Sequence, residues 1–498
     1  MTKFLSKIPP LLILLILGAI FVRVYRTGDL LGFYFDQGRD AKVIWDFWHN
    51  GDFFLIGPTT GIEGIFRGPW YYWLIAPFYL IGGGDPVWPA VFLVFSTGAA
   101  VFILYYLARQ VGGEITAYFA VVIASFSFFL VTASRWLSNP TPMFLISMLL
   151  VWSLFLIIDG RKWAWVMLSF LLGMAMQFGS AVEVFLFPAA LVFAFWQRDR
   201  LSKKILFYSL GALLVTFLPQ IVFDIRNSNV LSSAIAKFLF KEESFKLSLG
   251  QIVALRVKLY FEVFYSKLFP AAGNYRFPFL IISSLGLIFN YKRIIENEKL
   301  LVLVIFFFSG LLGMFFFQGN NGSVYDYYFT GYYLMFVLLF AVSLGFLSRH
   351  PLGLLVTVLF FAFFLRDNLT VLRNYLSAGV DESNHVTLGN QLQVVEWVLN
   401  DVSSRGSFNV DVYVPPVIPH SYDYLFLWQT DKRCGQSRCN MELEERVPLL
   451  YTIYEVDPPH PERLEAWLAR QGGIGVIEEA EKFGGITVER RKRIPNDQ

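Results

Sequence analysis

Residues 87–108 read VWPAVFLVFSTGAAVFILYYLA, a run of apolar and small side chains without a single charge. A bilayer core takes about 20 such residues in a helix, and this run is one of about eleven in the chain. They lie near 9–26, 87–108, 115–133, 141–158, 163–179, 181–197, 205–224, 277–290, 299–317, 329–347 and 351–366, the 277–290 run being short. Of the 498 residues, 56% are hydrophobic, 18% aromatic and 16% charged, with a formal net charge of +3. Soluble domains carry about 25% charged residues. Composition therefore excludes an ordinary soluble enzyme and predicts a polytopic α-helical membrane protein.

The charge is unevenly placed: 33 of the 132 residues from Asp367 to Gln498 are charged, against 46 of the 366 before them. The chain divides on this count into a membrane body, 1–366, and a C-terminal domain, 367–498. Basic residues at helix ends are retained on the cytoplasmic side. Lys3, Lys7, Arg109, Arg161, Lys162, the 198–204 cluster, Lys292, Arg293, Lys299 and Arg349 fall on one predicted side, whereas the connections around Gly179 and from Gln318 to Tyr328 carry no Lys or Arg. Arg23, Arg26 and Arg135 break the pattern. The assignment places the N-terminus in the cytoplasm and the C-terminal domain outside. No small-residue cleavage site precedes Arg23, so the first run reads as an uncleaved helix rather than a signal peptide. Cys434 and Cys439 then sit in the exported domain, either as a short disulfide loop or as two free thiols. Two outside segments, 27–86 and 226–276, are too long for turns between packed helices, and long loops are where function concentrates.

The first segment opens with Phe35-Asp36-Gln37-Gly38-Arg39-Asp40, followed by Ala41, Ile44, Trp45 and Trp48 at i, i+3, i+4, i+7. That spacing predicts an amphipathic helix on the membrane surface. Asp36 and Asp40, one turn apart, share a face with Arg39 beside them. Two carboxylates at a lipid-water boundary suit acid-base work, because lower dielectric tunes their pKa. The plain alternative for Asp36 is a helix N-cap; Asp46 and Asp52 read as solvated. Downstream, Phe66-Arg67-Gly68-Pro69-Trp70-Tyr71-Tyr72-Trp73 has the aromatic density of a headgroup belt. Arg67 is suited to hold a phosphate bidentately or to snorkel to headgroups.

The order Asp-Gln-Gly-Arg-Asp, a surface helix, His49-Asn50-Gly51-Asp52 and then Arg-Gly-Pro-Trp-Tyr-Tyr-Trp resembles the first periplasmic loop of GT-C glycosyltransferases. The nearest group is glycosyltransferase family 39, the protein O-mannosyltransferase-like enzymes, with the related lipid A aminoarabinose transferases. The resemblance implies a GT-C-like body in a prokaryotic plasma membrane, a capping α/β domain, and transfer of a sugar from a polyprenyl phosphate to an extracytoplasmic acceptor. It makes Asp36 the candidate general base or acceptor-orienting group, acting alone or with help from Asp40, with Gln37 where relatives often show a second acid. It makes Arg67 a donor-phosphate residue. Phe66 stands where the aminoarabinose enzymes carry an acid, which argues against that sugar. Ser134 to Pro140 resembles an arginine-containing turn of relatives, with Arg135 as a phosphate ligand or a packing residue and Asn139 as a pocket residue.

In the second segment Lys237, Lys241, Lys246, Arg256, Lys258, Lys267 and Arg276 alternate with aromatics. Exposed basic residues are common there, and Arg256 and Lys258 are the preferred phosphate ligands. Being two apart, they do not share a helix face. Glu183 in an apolar run is costly, and Asp224, Tyr325 and Asp326 lie at helix ends where they could line a pocket. No Gly-Lys-Ser phosphate loop, zinc cysteine pattern or His-Glu-x-x-His motif occurs. No cofactor, metal site or nucleic-acid partner is expected, although a divalent metal stays open. Asn321-Gly322-Ser323 and Asn368-Leu369-Thr370 match the glycosylation sequon.

Val410, Val412 and Val414 alternate with polar neighbours as a strand; 461–471 reads as a helix and 473–477 as a strand. The leading expectation is a metal-independent, inverting glycosyltransferase with membrane lipid, lipid-phosphate donor and acceptor as partners. The alternatives are a transporter or flippase for a lipid-linked substrate, and an oligosaccharyltransferase or polysaccharide ligase.

Overall fold

The computed structural model describes residues 9–240, 247–270, 276–317, 323–382, 385–403, 405–415 and 418–494. The first half contains α1 (Pro10–Val24), α2 (Thr27–Leu30), α3 (Phe35–Asn50), α4 (Trp70–Ile81), α5 (Val87–Gly112), α6 (Glu114–Phe126), α7 (Phe128–Ser134), α8 (Met143–Ile158), α9 (Ala164–Phe178) and α10 (Leu186–Trp196). It continues with α11 (Lys203–Arg226), α12 (Val230–Phe240), α13 (Leu249–Ser266), α14 (Phe277–Phe289), α15 (Tyr291–Glu296), α16 (Glu298–Gly313), α17 (Thr330–Leu347) and α18 (Pro351–Ser377). The C-terminal unit adds α19 (Leu388–Val402), β1 (Phe408–Tyr413), α20 (His420–Cys434), β2 (Leu449–Glu455), α21 (Pro461–Gly472), β3 (Gly475–Phe483) and β4 (Ile486–Arg493).

Each apolar run read from the sequence falls on helix, the 115–133 run being divided between α6 and α7 and the 181–197 run opening with a 3-10 turn over Ala181–Phe185 before α10. Among the described residues, Val87–Gly112, Lys203–Arg226, Asp326–Leu347 and Pro351–Ser377 are long and apolar enough to cross a membrane, and α6 with α7, bent by 64°, makes a fifth span if counted as one. The bend falls at Ser127, whose hydroxyl accepts from Leu130 N and so starts α7 afresh. Residues Thr330 to Phe346 of α17 are all buried. A helix apolar on every side belongs in the middle of a bundle, and α17 packs against α5, α6, α8 and α14. The last long helix continues to Ser377, past the apolar run that ends near 366.

The sheet has the order β1-β2-β4-β3, with β1 and β2 parallel and the other pairs antiparallel. A parallel pair needs a crossover, and α20 lies in that connection. It has a second partner. The apolar stripe of α3, Ala41, Ile44 and Trp45, is buried and packs on α20 and α4, with Trp45 edge-on to Tyr424 at 6.1 Å. The helix expected to lie on the membrane therefore presents that stripe to protein, leaving Phe47, Trp48 and Phe53 exposed. Gly38 makes the approach possible: a Cβ there would lie 2.3 Å from the backbone carbonyl of His420. Nearby, Tyr424 Oη donates to Gly84 O at 2.5 Å and Trp428 Nε1 to Gly83 O at 2.8 Å.

Glycine inside a helix ordinarily costs about 0.5–1 kcal/mol relative to alanine, so its replacement usually helps. At Gly38 the clash reverses the sign. Gly38→Val should destabilise the protein by about 1–3 kcal/mol, read as a lowered unfolding temperature of the purified chain; an unchanged temperature would contradict this docking.

Candidate active site

The start of α3 is organised by Gln37, not by Asp36. Gln37 is buried; its Oε1 accepts from Tyr34 N at 3.0 Å and its Nε2 donates to Leu137 O at 3.1 Å. Asp36 is thus freed from the capping role, and Gln37 joins α3 to the Trp136–Leu137 turn rather than lining a pocket as an open group. One turn on, Arg39 holds both acids, with Nη1 at 2.8 Å from Asp36 and Nη2 at 2.7 Å from Asp40. Asp40 also accepts from Tyr72 Oη at 2.9 Å. The two carboxylates differ in access: the Asp36 side chain is 54% exposed and that of Asp40 is 6% exposed. Burial raises the Asp40 carboxyl to about 6, although Arg39 and Tyr72 pull it the other way. Asp40 is therefore an anchor for Arg39, and Asp36 is the accessible carboxylate of the pair.

Arg67 lies in a loop whose backbone pairs with Gly57 and Pro58. Its Nη1 donates to Gly179 O, the carbonyl that ends α9. Around it stand Glu183, Tyr327 and Tyr328, and burial lowers its pKa from the usual arginine value. Glu183 is buried, and its carboxyl accepts from Ser180 N at 2.5 Å beside the Arg67 guanidinium.

A cavity of about 320 Å³ lies beside this cluster, bordered by Trp136, Thr132, Lys267, Asp326, Tyr327 and Tyr333. Lys267 is 1% exposed; its Nζ is 2.8 Å from Asp326 Oδ2 and 4.3 Å from the Tyr333 ring centroid. Tyr333 Oη donates to Asp326 Oδ1 at 2.7 Å. A second cavity of about 570 Å³, between the body and the C-terminal unit, shares Thr132 and Trp136 with the first. Tyr34 borders it, which brings the start of α3 to its rim.

The other candidates separate from this centre. Arg256 is buried, with Nε donating to Met314 O at 3.1 Å and Nη2 to Phe317 O at 3.1 Å. Lys258, two residues away, points outward at 74% exposure and faces Glu262 at 3.9 Å. Arg135 donates to the carbonyls of Val22, Arg23 and Tyr25 at the end of α1. Those two arginines are engaged by backbone carbonyls, and the basic residue of the second segment that borders the cavity is Lys267 instead. Its mark in the sequence is weak: one lysine among seven basic residues, set after a tyrosine-rich helix end. Asn139 Nδ2 donates to Phe178 O at 3.0 Å; Tyr325 is exposed and stacks on Tyr327. Asp224 caps α12 through Leu231 N and Ser232 N. Asn368 is buried inside α18 and bonded to Leu268 O and Phe364 O, so its sequon is not presented to any modifying enzyme. Cys434 and Cys439 form a disulfide. Lys3, Lys7, Lys241, Lys246, Asn321 and Gly322 lie outside the described residues. Among the described residues no cluster of His, Cys, Asp and Glu could hold a metal ion.

Asp40 gives this site a pH signature. Its folded value lies above the ordinary 3.8, so the group adds most to stability below about pH 4, and that contribution is lost as pH rises through about 6. Asp40→Asn cannot ionise and should flatten the fall in unfolding temperature across that window. A variant with the wild-type slope would show that Asp40 titrates normally.

Residues 67–223 match the sequence profile of a family described as dolichyl-phosphate-mannose-protein mannosyltransferase. A search of curated protein sequences gives no match. Among solved structures, the chain is similar to ArnT from Cupriavidus metallidurans bound to undecaprenyl phosphate, with a TM-score of 0.57 and 12% identity over 96% of this chain and 97% of that one. The apo form of ArnT gives 0.57 and 12%, over 98% of both chains. The oligosaccharyltransferase of Archaeoglobus fulgidus in complex with Zn and sulfate gives 0.54 and 12%, over 98% of this chain and 74% of that one. At such identities the likeness is one of fold. In its matched segment and in its whole fold, the chain resembles the GT-C membrane glycosyltransferases.

Proposed function

We propose that this chain is an inverting, metal-independent glycosyltransferase that moves a sugar from a polyprenyl-phosphate donor to an extracytoplasmic acceptor. It would sit in a prokaryotic plasma membrane with about eleven spans, the N-terminus inside and the C-terminal unit outside. The observation that carries the reading is one open carboxylate, Asp36 clamped by Arg39, on the helix that Gln37 ties to the Trp136–Leu137 turn, whose Trp136 borders the cavity with the buried Lys267.

In this reading Lys267 meets the donor phosphate, and Arg67 adds positive potential from beside Tyr327. Asp36 takes the proton of the acceptor hydroxyl as its oxygen bonds to the anomeric carbon. The carbon-oxygen bond to phosphate breaks, and the polyprenyl phosphate leaves with the electron pair. Asp40 and Tyr72 act only through Arg39, as positioning residues.

Purified protein given a panel of polyprenyl-phosphate sugars should release the lipid phosphate. Asp36→Asn should lower kcat by about 10²–10⁴-fold with donor affinity unchanged, and normal turnover would remove Asp36 from the mechanism. Lys267→Met should weaken donor binding by about tenfold or more. The half-exposed Asp326 left behind is solvated, so the variant should still fold. Turnover of a pyrophosphate donor, lost on chelation, would favour oligosaccharyl transfer instead.

A further inference from the structure

The larger cavity has no role in the donor chemistry just described. It lies where the two units of the chain meet, with Thr132, Trp136 and Tyr34 contributed by the body, Tyr375 by the end of α18, and His385 and Thr387 by the link to α19. Three aromatic rings and several neutral polar groups therefore face one space. Its single guanidinium, Arg135, is directed to the carbonyls of α1 and has its carbon centre 5.6 Å from the Tyr375 ring centroid. Among the described residues no carboxylate borders the cavity.

From this lining we infer that the cavity binds a neutral carbohydrate unit of the acceptor, seated against Trp136. The inference rests on the proposed glycosyl transfer and names its acceptor class. A pyranose has an apolar C–H face, which packs on an aromatic ring, and a rim of hydroxyls, which need partners when desolvated. The hydroxyls of Thr132, Thr387 and Tyr34 donate within the protein and keep lone pairs free to accept from a ligand. An extended peptide acceptor is disfavoured because, among the described residues, no strand edge borders the space. An aliphatic tail would leave the polar rim without partners. The volume, about 570 Å³, lies within the range for small-ligand sites, roughly 300–1,000 Å³. Trp136 also borders the Lys267 cavity and meets Tyr327 edge-on at 5.7 Å. A sugar on that ring is therefore adjacent to the place proposed for the donor phosphate.

The test is saturation-transfer difference NMR on the full chain in nanodiscs without donor. The probes are methyl α-mannoside, diacetylchitobiose, sodium glucuronate and a threonine-containing peptide. At least one neutral glycoside should receive saturation, and the effect should fall about fivefold in Trp136→Ala, the loss of one aromatic contact. It should fall likewise in Val386→Trp, since Val386 also borders the cavity, between His385 and Thr387, and a larger side chain there fills it and guards against a Trp136 variant that fails to fold. Absence of transfer to either glycoside, a signal that survives both substitutions, or a site-dependent signal from the peptide or glucuronate alone would overturn the inference. No donor or turnover enters the measurement, so its failure is distinguishable from failure of the Asp36 and Lys267 variants.

Discussion

The Arg39 guanidinium holds two carboxylates on different edges, Asp40 at Nε and Nη2 and Asp36 at Nη1, because both acids lie within a turn of it on α3. The three groups need a rigid helix beneath them. That helix is seated by Gly38 against α20 and by Gln37 against the Trp136–Leu137 turn. Asp40 is buried, where a lone charge would be costly, and Arg39 with the Tyr72 hydroxyl offsets that cost. What remains is a single accessible carboxylate in a fixed position.

The arginines of the body follow a second rule. The last carbonyls of a helix have no partner within it, and where lipid is the solvent such groups must be satisfied internally. Arg135 serves the end of α1, Arg200 the end of α8, Arg67 the end of α9 and Arg256 the end of α16. Four guanidiniums thus do the same structural job at four helix ends. Lys267 differs, since its partner is the carboxylate of Asp326 on the wall of a cavity.

This division explains how far the sequence could be read. Apolar run length marks helices directly, so each run coincides with helix, although the 115–133 run breaks at Ser127, and the one-turn spacing of Asp36 and Asp40 put both acids on one face beside Arg39. The sequence preferred Arg256 and Lys258 among the basic residues, and composition does not say that one is spent on carbonyls at a helix end and the other is turned outward. The stripe of α3 was legible as apolar, yet its partner was not. Helix α20 is nearly four hundred residues further along the chain, and a periodicity names a buried face without naming what covers it. β1 and part of β3 were read as strands, whereas β2 and β4 were not, although β4 pairs with β3 across a two-residue turn.

The double duty of α20 has a consequence for how the protein is made. A chain grows from its N-terminus and its units fold in the order of synthesis, so α3 is complete long before His420 to Cys434 exist. Until they do, Ala41, Ile44 and Trp45 have no cover from α20, and the seat of Asp36 is unfinished. Helix α20 is also the crossover that pairs β1 with β2, so it can take its place only as the sheet closes. A chain stalled before that point would leave Ala41, Ile44 and Trp45 without that cover and the Asp36–Arg39–Asp40 group without a fixed base.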